Sequence, residues 1–111
     1  MKKVSTGTTF SERVVLCALA IPKGRVTTYG RITRAAGAGP MASQSVTAIL
    51  GKAYDKGETK IPFHRIVYAN GTVWLNDTYA KKRMKLYKEE GIKVDKNGKI
   101  ENFNKIVFDF K

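Results

Sequence analysis

Ile61-Pro62-Phe63-His64-Arg65-Ile66-Val67 sets the only histidine of the sequence between an aromatic residue and an arginine, just before an apolar run. Pro62 fixes its own φ and pushes Ile61 towards an extended conformation, so the chain enters a strand or tight turn stiffly here. A histidine beside an arginine has the makings of a catalytic or ligand-binding corner. What is missing there is a nucleophile: Phe63 has no group to attack with, donate a proton from or bind a metal through. The stretch is either a site without chemistry or no site at all, and the flanking chain decides which.

Upstream, Thr9-Phe10-Ser11-Glu12 reads as a capping box, with Thr9 as N-cap and Glu12 three residues on. Phe10, Val14, Cys17, Ala18 and Ile21 recur at helical spacing, which makes Cys17 a small core residue, and Pro22-Lys23-Gly24 ends this helix. Thr27 or Thr28 caps a second, short helix through Ala36, with Ile32, Ala35 and Ala36 facing inward. Gly37-Ala38-Gly39-Pro40 is a tight connector. A third helix follows, with Ala42, Val46, Ile49, Leu50 and Ala53 inside and Ser43, Gln44, Thr47 and Lys52 outside. Two short helices joined by a Gly-containing turn form a helix-turn-helix pattern, whose polar face carries short or amide side chains able to approach base edges and phosphates.

Downstream of a polar loop over 54–60, Arg65-Ile66-Val67-Tyr68 and Thr72-Val73-Trp74 flank Ala69-Asn70-Gly71, and Asn-Gly is a strong hairpin signal. A hairpin after a helix-turn-helix is the layout of a winged helix. Asp77 or Thr78 starts the last clear helix, with Met84, Leu86 and Tyr87 apolar among lysines, and Gly91 supplies its C′ position. Glu89 and Glu90 oppose the macrodipole at that end, so one of them is expected to have a partner elsewhere. Asn97-Gly98 marks a further turn, and Ile106, Phe108 and Phe110 alternate as in an edge strand or a docked tail. The expected fold is mainly α with a small β-hairpin, a winged helix-turn-helix in a single DNA-binding domain over 1–111.

Twenty-one Lys and Arg against nine Asp and Glu give a net charge of +12, spread along the chain. Solubility needs far less, and a folded basic face suits a polyanion, most simply nucleic acid; a solvated Lys-rich surface is the bland alternative. No apolar run approaches the roughly 20 residues of a membrane span, and Met1-Lys2-Lys3 is not followed by the apolar stretch of a signal peptide. Cys17 stands alone, so no intrachain disulfide is available, and one Cys with one His falls short of a zinc site. Neither a metal nor a cofactor is expected. The setting that fits is intracellular, in the cytoplasm or on the nucleoid, as a monomer with no membrane partner.

Four separated blocks point to a family. Ile21-Pro22-Lys23-Gly24-Arg25-Val26-Thr27-Thr28-Tyr29-Gly30, Ser45-Val46-Thr47-Ala48-Ile49-Leu50, Ile61-Pro62-Phe63-His64-Arg65-Ile66-Val67 and Glu89-Glu90-Gly91-Ile92 come in one order. Together they resemble the DNA-binding domain of O6-alkylguanine-DNA alkyltransferases. In that family the opening stretch reads Pro-Cys-His-Arg and the cysteine accepts the alkyl group. With Phe63 there, the chain resembles the alkyltransferase-like branch, which lacks the acceptor.

The resemblance implies a protein with no catalytic residue, which binds O6-alkylguanine in duplex DNA, flips the nucleotide into a pocket and flags it for nucleotide excision repair. It implies insertion of the third helix into the minor groove. Tyr29 then presses on the backbone, and Gln44 stands where the family has an intercalating arginine. Thr28, Arg31, Ser43, Ser45, Thr47, Lys52 and Arg65 join them as expected DNA-binding residues, with Arg25 and Arg34 as further backbone contacts. Tyr29, Pro62, Phe63, Val73, Trp74 and Asn76 are the expected lesion pocket, Asn76 standing about where such proteins use an arginine. The family's His-to-Glu contact is expected between His64 and Glu90, in a structural role. The competing reading is a winged-helix transcription regulator using Ser43, Gln44 and Thr47 on a fixed sequence, with no lesion preference. An enzyme acting through another thiol and an architectural basic protein are weaker alternatives.

Overall fold

A computed structural model describes residues 9–73 and 80–110. Helix α1 (Phe10–Leu19) opens on the capping box. The Thr9 hydroxyl accepts from the Glu12 N–H at 3.1 Å, and the Glu12 carboxylate accepts from the Thr9 N–H at 2.8 Å. These contacts satisfy two of the donors that every helix start leaves over. Strand β1 (Thr27–Thr28) runs directly into α2 (Tyr29–Ala35), where Thr28 is the N-cap and accepts from the Arg31 N–H.

After the connector, Pro40–Ser45 forms a 3-10 turn, and only then does α3 (Val46–Asp55) begin. The third helix was expected to include Ala42. Its first turn is tightened because Ser43 and Ser45 are poor helix formers, and neither Gly39 nor Ser45 supplies a capping side chain. A second 3-10 turn, Phe63–Arg65, leads into β2 (Ile66–Val67). Helix α4 is described over Ala80–Glu89, and its expected start at Asp77 or Thr78 lies outside the described residues. A further short helix, α5 (Phe103–Ile106), has no counterpart in the sequence reading.

The sheet is parallel. Thr27 pairs with Ile66 and Thr28 with Val67, so β2 finds its ladder partner in β1 and not across a hairpin. Asn70-Gly71 does make a turn, closed by the Tyr68 N–H on the Thr72 carbonyl at 3.0 Å. Beyond it, Thr72 bridges antiparallel to Lys99, and the Val73 N–H donates to the Gly98 carbonyl. The expected two-armed hairpin is thus opened out, because Val73 is drawn into an apolar cluster with Ile92 and Ile100. Gly71 sits at φ 86°, and an added Cβ would come within 3.2 Å of the Phe103 ring.

Two clusters flank the β1–β2 pair. Val14, Ala18, Ile21, Ile32, Ala36, Val46, Leu50, Ile61 and Ile66 bind α1, α2 and α3 together. Val26, Val67, Val73, Tyr87, Ile92 and Ile100 hold α4 and the C-terminal segment. Successive strand residues point to opposite faces, which is why Ile66 enters the first cluster and Val67 the second. The inward faces of α1 and α3 match the helical spacing; on α2 it is Thr33 and not Ala35 that is buried beside Ile32 and Ala36. No helix among the described residues is long and apolar enough to cross a membrane.

Candidate nucleic-acid interface

A cleft of about 970 Å³ opens between α3, the Phe63–Arg65 turn and α4. Ser43 and Gln44 of the 3-10 turn and Thr47, Gly51 and Tyr54 of α3 line one wall, the last three on the helical stripe i, i+4, i+7. Pro62 and Phe63 lie opposite, and Lys82, Arg83 and Leu86 of α4 close the third side. Tyr29 and Tyr68 also line the cleft, with ring centroids 5.8 Å apart. The Phe63 ring meets Tyr54 edge-on at 5.9 Å and packs against the first core cluster, so it is held on two sides and half-exposed on the third.

Burial raises the Tyr29 hydroxyl above its usual range, and a hydrogen bond with Thr47 draws it partly back. Tyr29 thus sits as a neutral aromatic at the N-terminus of α2, turned into the cleft. Gln44 is exposed at the mouth.

Behind the cleft lies a buried polar group. Glu90 directly follows α4 and turns its carboxylate inward, where Arg65 Nη2 reaches Oε2 at 2.8 Å and Arg65 Nε reaches Oε1 at 3.0 Å. The Gly24 N–H adds a bond to Oε1 at 3.0 Å, and His64 Nε2 stands 2.6 Å from Oε2. Burial by itself would raise the Glu90 carboxyl. Arg65, the Gly24 N–H and His64 together outweigh it and hold the group down at about 2. Burial also dominates at His64, lowering its pKa in spite of Glu90. A neutral His64 therefore donates its Nε2–H to an ionised Glu90 whose charge Arg65 already balances. Tyr87 completes the group by donating its hydroxyl to the His64 carbonyl at 2.6 Å, and burial pushes that phenol up to about 12. The expected partner for a C-terminal acid and the expected His64–Glu90 contact are both present.

Several expected site residues are placed elsewhere. Thr28 is buried as the cap of α2 and has no surface to offer a phosphate. Arg65 borders the cleft, but its guanidinium is engaged by Glu90 and by the Ile21 carbonyl. Arg25 reaches the Ile106 and Val107 carbonyls, and Arg31 is paired with Asp109. Each of these guanidiniums is engaged by carbonyls or carboxylates from remote parts of the chain, acceptors that suit its fork of donors. Val73 belongs to the second core cluster and not to the cleft wall. Ser45, Lys52 and Arg34 are exposed outside the cleft. Trp74 and Asn76 lie outside the described residues.

The sequence reading missed Tyr54, Tyr68, Lys60, Lys82 and Arg83. Tyr54 continues the stripe of Ser43 and Thr47, so helical spacing carried the signal. Lys82 and Arg83 come to the cleft only through the packing of α4. Among the described residues, the lone thiol is Cys17 on α1. It is half-buried within the first cluster, with burial raising its pKa, and it is not among the residues lining the cleft.

This architecture has known relatives. The model of the 6-O-methylguanine DNA methyltransferase DNA-binding domain matches residues 9–92. A DNA base-flipping protein of Escherichia coli K12 is 34% identical over 100 residues, covering 90% of this chain and 75% of that protein. Alkyltransferase-like protein 1 of Schizosaccharomyces pombe is 31% identical over 87 residues, covering 77% of this chain and 78% of its own length. The crystal structure of S. pombe Atl1 with damaged DNA containing O6-carboxymethylguanine superposes with a TM-score of 0.69 at 26% identity, covering 97% of this chain and 98% of that one. The mainly helical domain with a small parallel sheet thus matches that structure, and the chain belongs to the alkyltransferase-like, DNA base-flipping family.

Proposed function

We propose that this protein binds duplex DNA carrying O6-alkylguanine, rotates the damaged nucleotide into the cleft beside Phe63, and holds it there without alkyl transfer. The single observation that carries the reading is the meeting of Tyr29, Gln44 and Phe63 in one cleft bordered by Lys60, Lys82 and Arg83. The cleft volume of about 970 Å³ is ample for an extruded nucleotide. Flipping costs a few kcal/mol, least for a base whose pairing is already weakened, and that difference favours the lesion over intact guanine. An aromatic ring under the base returns about 1–3 kcal/mol. Phe63 supplies that ring and, lacking a thiolate, breaks no bond.

In this reading Lys60 and Lys82, with the exposed Lys52 and Arg34, hold phosphates without reading sequence. Tyr29 presses on the backbone, and Gln44, next to Ser43 and Thr47, enters the minor groove to fill the gap. The whole chain acts as one DNA-binding domain inside the cell. Because nothing is repaired, the complex persists, and it serves as a flag for nucleotide excision repair proteins.

The test is the affinity for an O6-methylguanine duplex against the unmodified duplex at physiological salt. A clear preference for the lesion is expected, and equal affinities would refute lesion recognition. Incubation with radiolabelled methylated DNA tests the absence of transfer: label retained on the protein would overturn it.

A further inference from the structure

The matched family region ends at residue 92, yet the last described residues converge on the segment that carries Tyr29. Val107 pairs in parallel with Val26. The Val26 N–H donates to the Ile106 carbonyl at 3.1 Å, and the Phe108 N–H donates to the Val26 carbonyl at 2.7 Å. The Thr27 hydroxyl donates to the Phe108 carbonyl at 2.7 Å. Val26 and Thr27 are fully buried, so these backbone and hydroxyl groups would be left without partners were the tail removed. β1 pairs with β2, and Val26, the residue that leads into β1, is bridged to Val107 of the tail.

The contact continues to the start of α2. Asp109 pairs with Nε of Arg31, whose Nη1 reaches the Thr28 hydroxyl at 3.3 Å. The same Thr28 oxygen caps α2 by accepting from the Arg31 N–H at 3.2 Å. Asp109 therefore fixes Arg31, Arg31 braces the capping oxygen, and the next residue along the chain is Tyr29. Phe110 packs on the first core cluster and against Phe108 with ring centroids 4.8 Å apart, which seats the end of the tail.

We propose that 107–110 is a positioning strap for base rotation, with Asp109 acting through Arg31 and Thr28 to hold Tyr29 at the angle from which it pushes. The inference rests on the base-flipping reading above. A tyrosine can turn a nucleotide only if its own backbone resists; Thr28, just before Tyr29, is paired to Val67 of β2 and braced through Arg31 by Asp109, and the two residues before it are bonded to the strap. Removing the Asp109 charge also removes repulsion from DNA. A mere electrostatic bystander would thus raise affinity and leave rotation unchanged, whereas a strap uncouples the two.

The experiment uses the full chain and a duplex bearing, at the flipping position, a base analogue whose fluorescence rises on unstacking. Fluorescence per bound complex is read at saturating protein, and affinity is read separately. Ion pairs at this level of exposure bias an equilibrium about two- to fivefold, so Asp109→Asn is expected to lower the unstacked fraction by that factor with affinity equal or slightly raised. Asp109→Glu, which restores the charge, is expected to recover most of the signal, and Thr27→Val to lower it from the other contact. Unchanged fluorescence per complex in both Asp109→Asn and Thr27→Val would overturn the strap. Absence of any signal from the unaltered protein would instead refute base flipping itself, so the two failures are distinguishable.

Discussion

Arg65 reaches both carboxylate oxygens of Glu90, across 25 residues of sequence, with its Nη2 at 2.8 Å and its Nε at 3.0 Å. The pair joins the turn that carries Phe63 to the end of α4, so two sides of the cleft share one ionic joint. Glu90 is 5% exposed and Arg65 19%, which places the joint under the surface.

Removing one partner leaves the other charge buried and uncompensated. Glu90→Gln is expected to destabilise the fold by about 3 kcal/mol, read as a lower urea midpoint at unchanged slope. Loss within about 0.5 kcal/mol, the range of ordinary surface substitutions, would show that the joint contributes nothing.

The same group predicts a direction in pH. Glu90 is held at about 2 against an ordinary 4.5, and His64 lies below its ordinary 6.5. In both cases the unfolded chain takes up the proton first, so stability rises with pH. The His64 contribution is complete above 6.5 and declines as pH falls below it; the Glu90 contribution declines from 4.5 towards 2. Denaturant titrations at a series of pH values should show this fall, and Glu90→Gln should flatten its acid end. A fold more stable at pH 4 than at pH 7 would contradict the assignment.

Tyr29→Ala removes the ring at the head of α2, which packs against the first core cluster from the cleft side, and leaves the fully buried residues of that cluster in place. Affinity for the O6-methylguanine duplex is expected to fall by about 1–3 kcal/mol, roughly 5- to 150-fold, and affinity for plain duplex by much less. Fluorescence anisotropy on the two duplexes checks it. A parallel loss on both would assign Tyr29 to general binding and not to rotation.

Gln44→Arg puts a cation at the mouth of the cleft. Binding to both duplexes should tighten, and the slope of log affinity against log salt should steepen by about 0.9, the value for one added phosphate contact on B-DNA. An unchanged slope would place this side chain away from the backbone.

Phe63→Cys supplies a thiol but not the means to ionise it. The neighbouring imidazole is neutral and has committed Nε2 to Glu90, while the Arg65 charge is already balanced. A thiol is activated by a nearby cation, a helix N-terminus, a metal or an adjacent general base, and here the cation is balanced and the imidazole is held by Glu90. At most weak methyl transfer is therefore expected from labelled DNA, and robust labelling of the introduced thiol would prove this wrong.

The sequence by itself determined the N-terminal helices and what the opening stretch lacks. Capping residues and apolar spacing are local signals. They placed α1 from Thr9 and α2 from Thr27 or Thr28, of which Thr28 is the cap, and they set the inner face of α3, whose first member, Ala42, falls in the 3-10 turn before it. The absence of a nucleophile at Phe63 is a matter of residue identity, and the four family blocks carried the fold with it. The acid at the end of α4 was also readable, because its misfit with the helix dipole demanded a distant partner, and Arg65 and His64 supply it.

Only the tertiary structure decided which cations face outward. Arg25, Arg31 and Arg65 have the composition of a nucleic-acid surface, yet each is spent on a carbonyl or a carboxylate that comes from a remote part of the chain. The same holds for the sheet: Asn70-Gly71 signals a hairpin locally, but β2 pairs with β1, nearly 40 residues away, because burial of Ile66 and Val67 on two faces outweighs a two-residue turn preference. The role of Asp109 has the same origin. A strand edge is completed by whatever chain arrives there, and no local pattern records which segment that is.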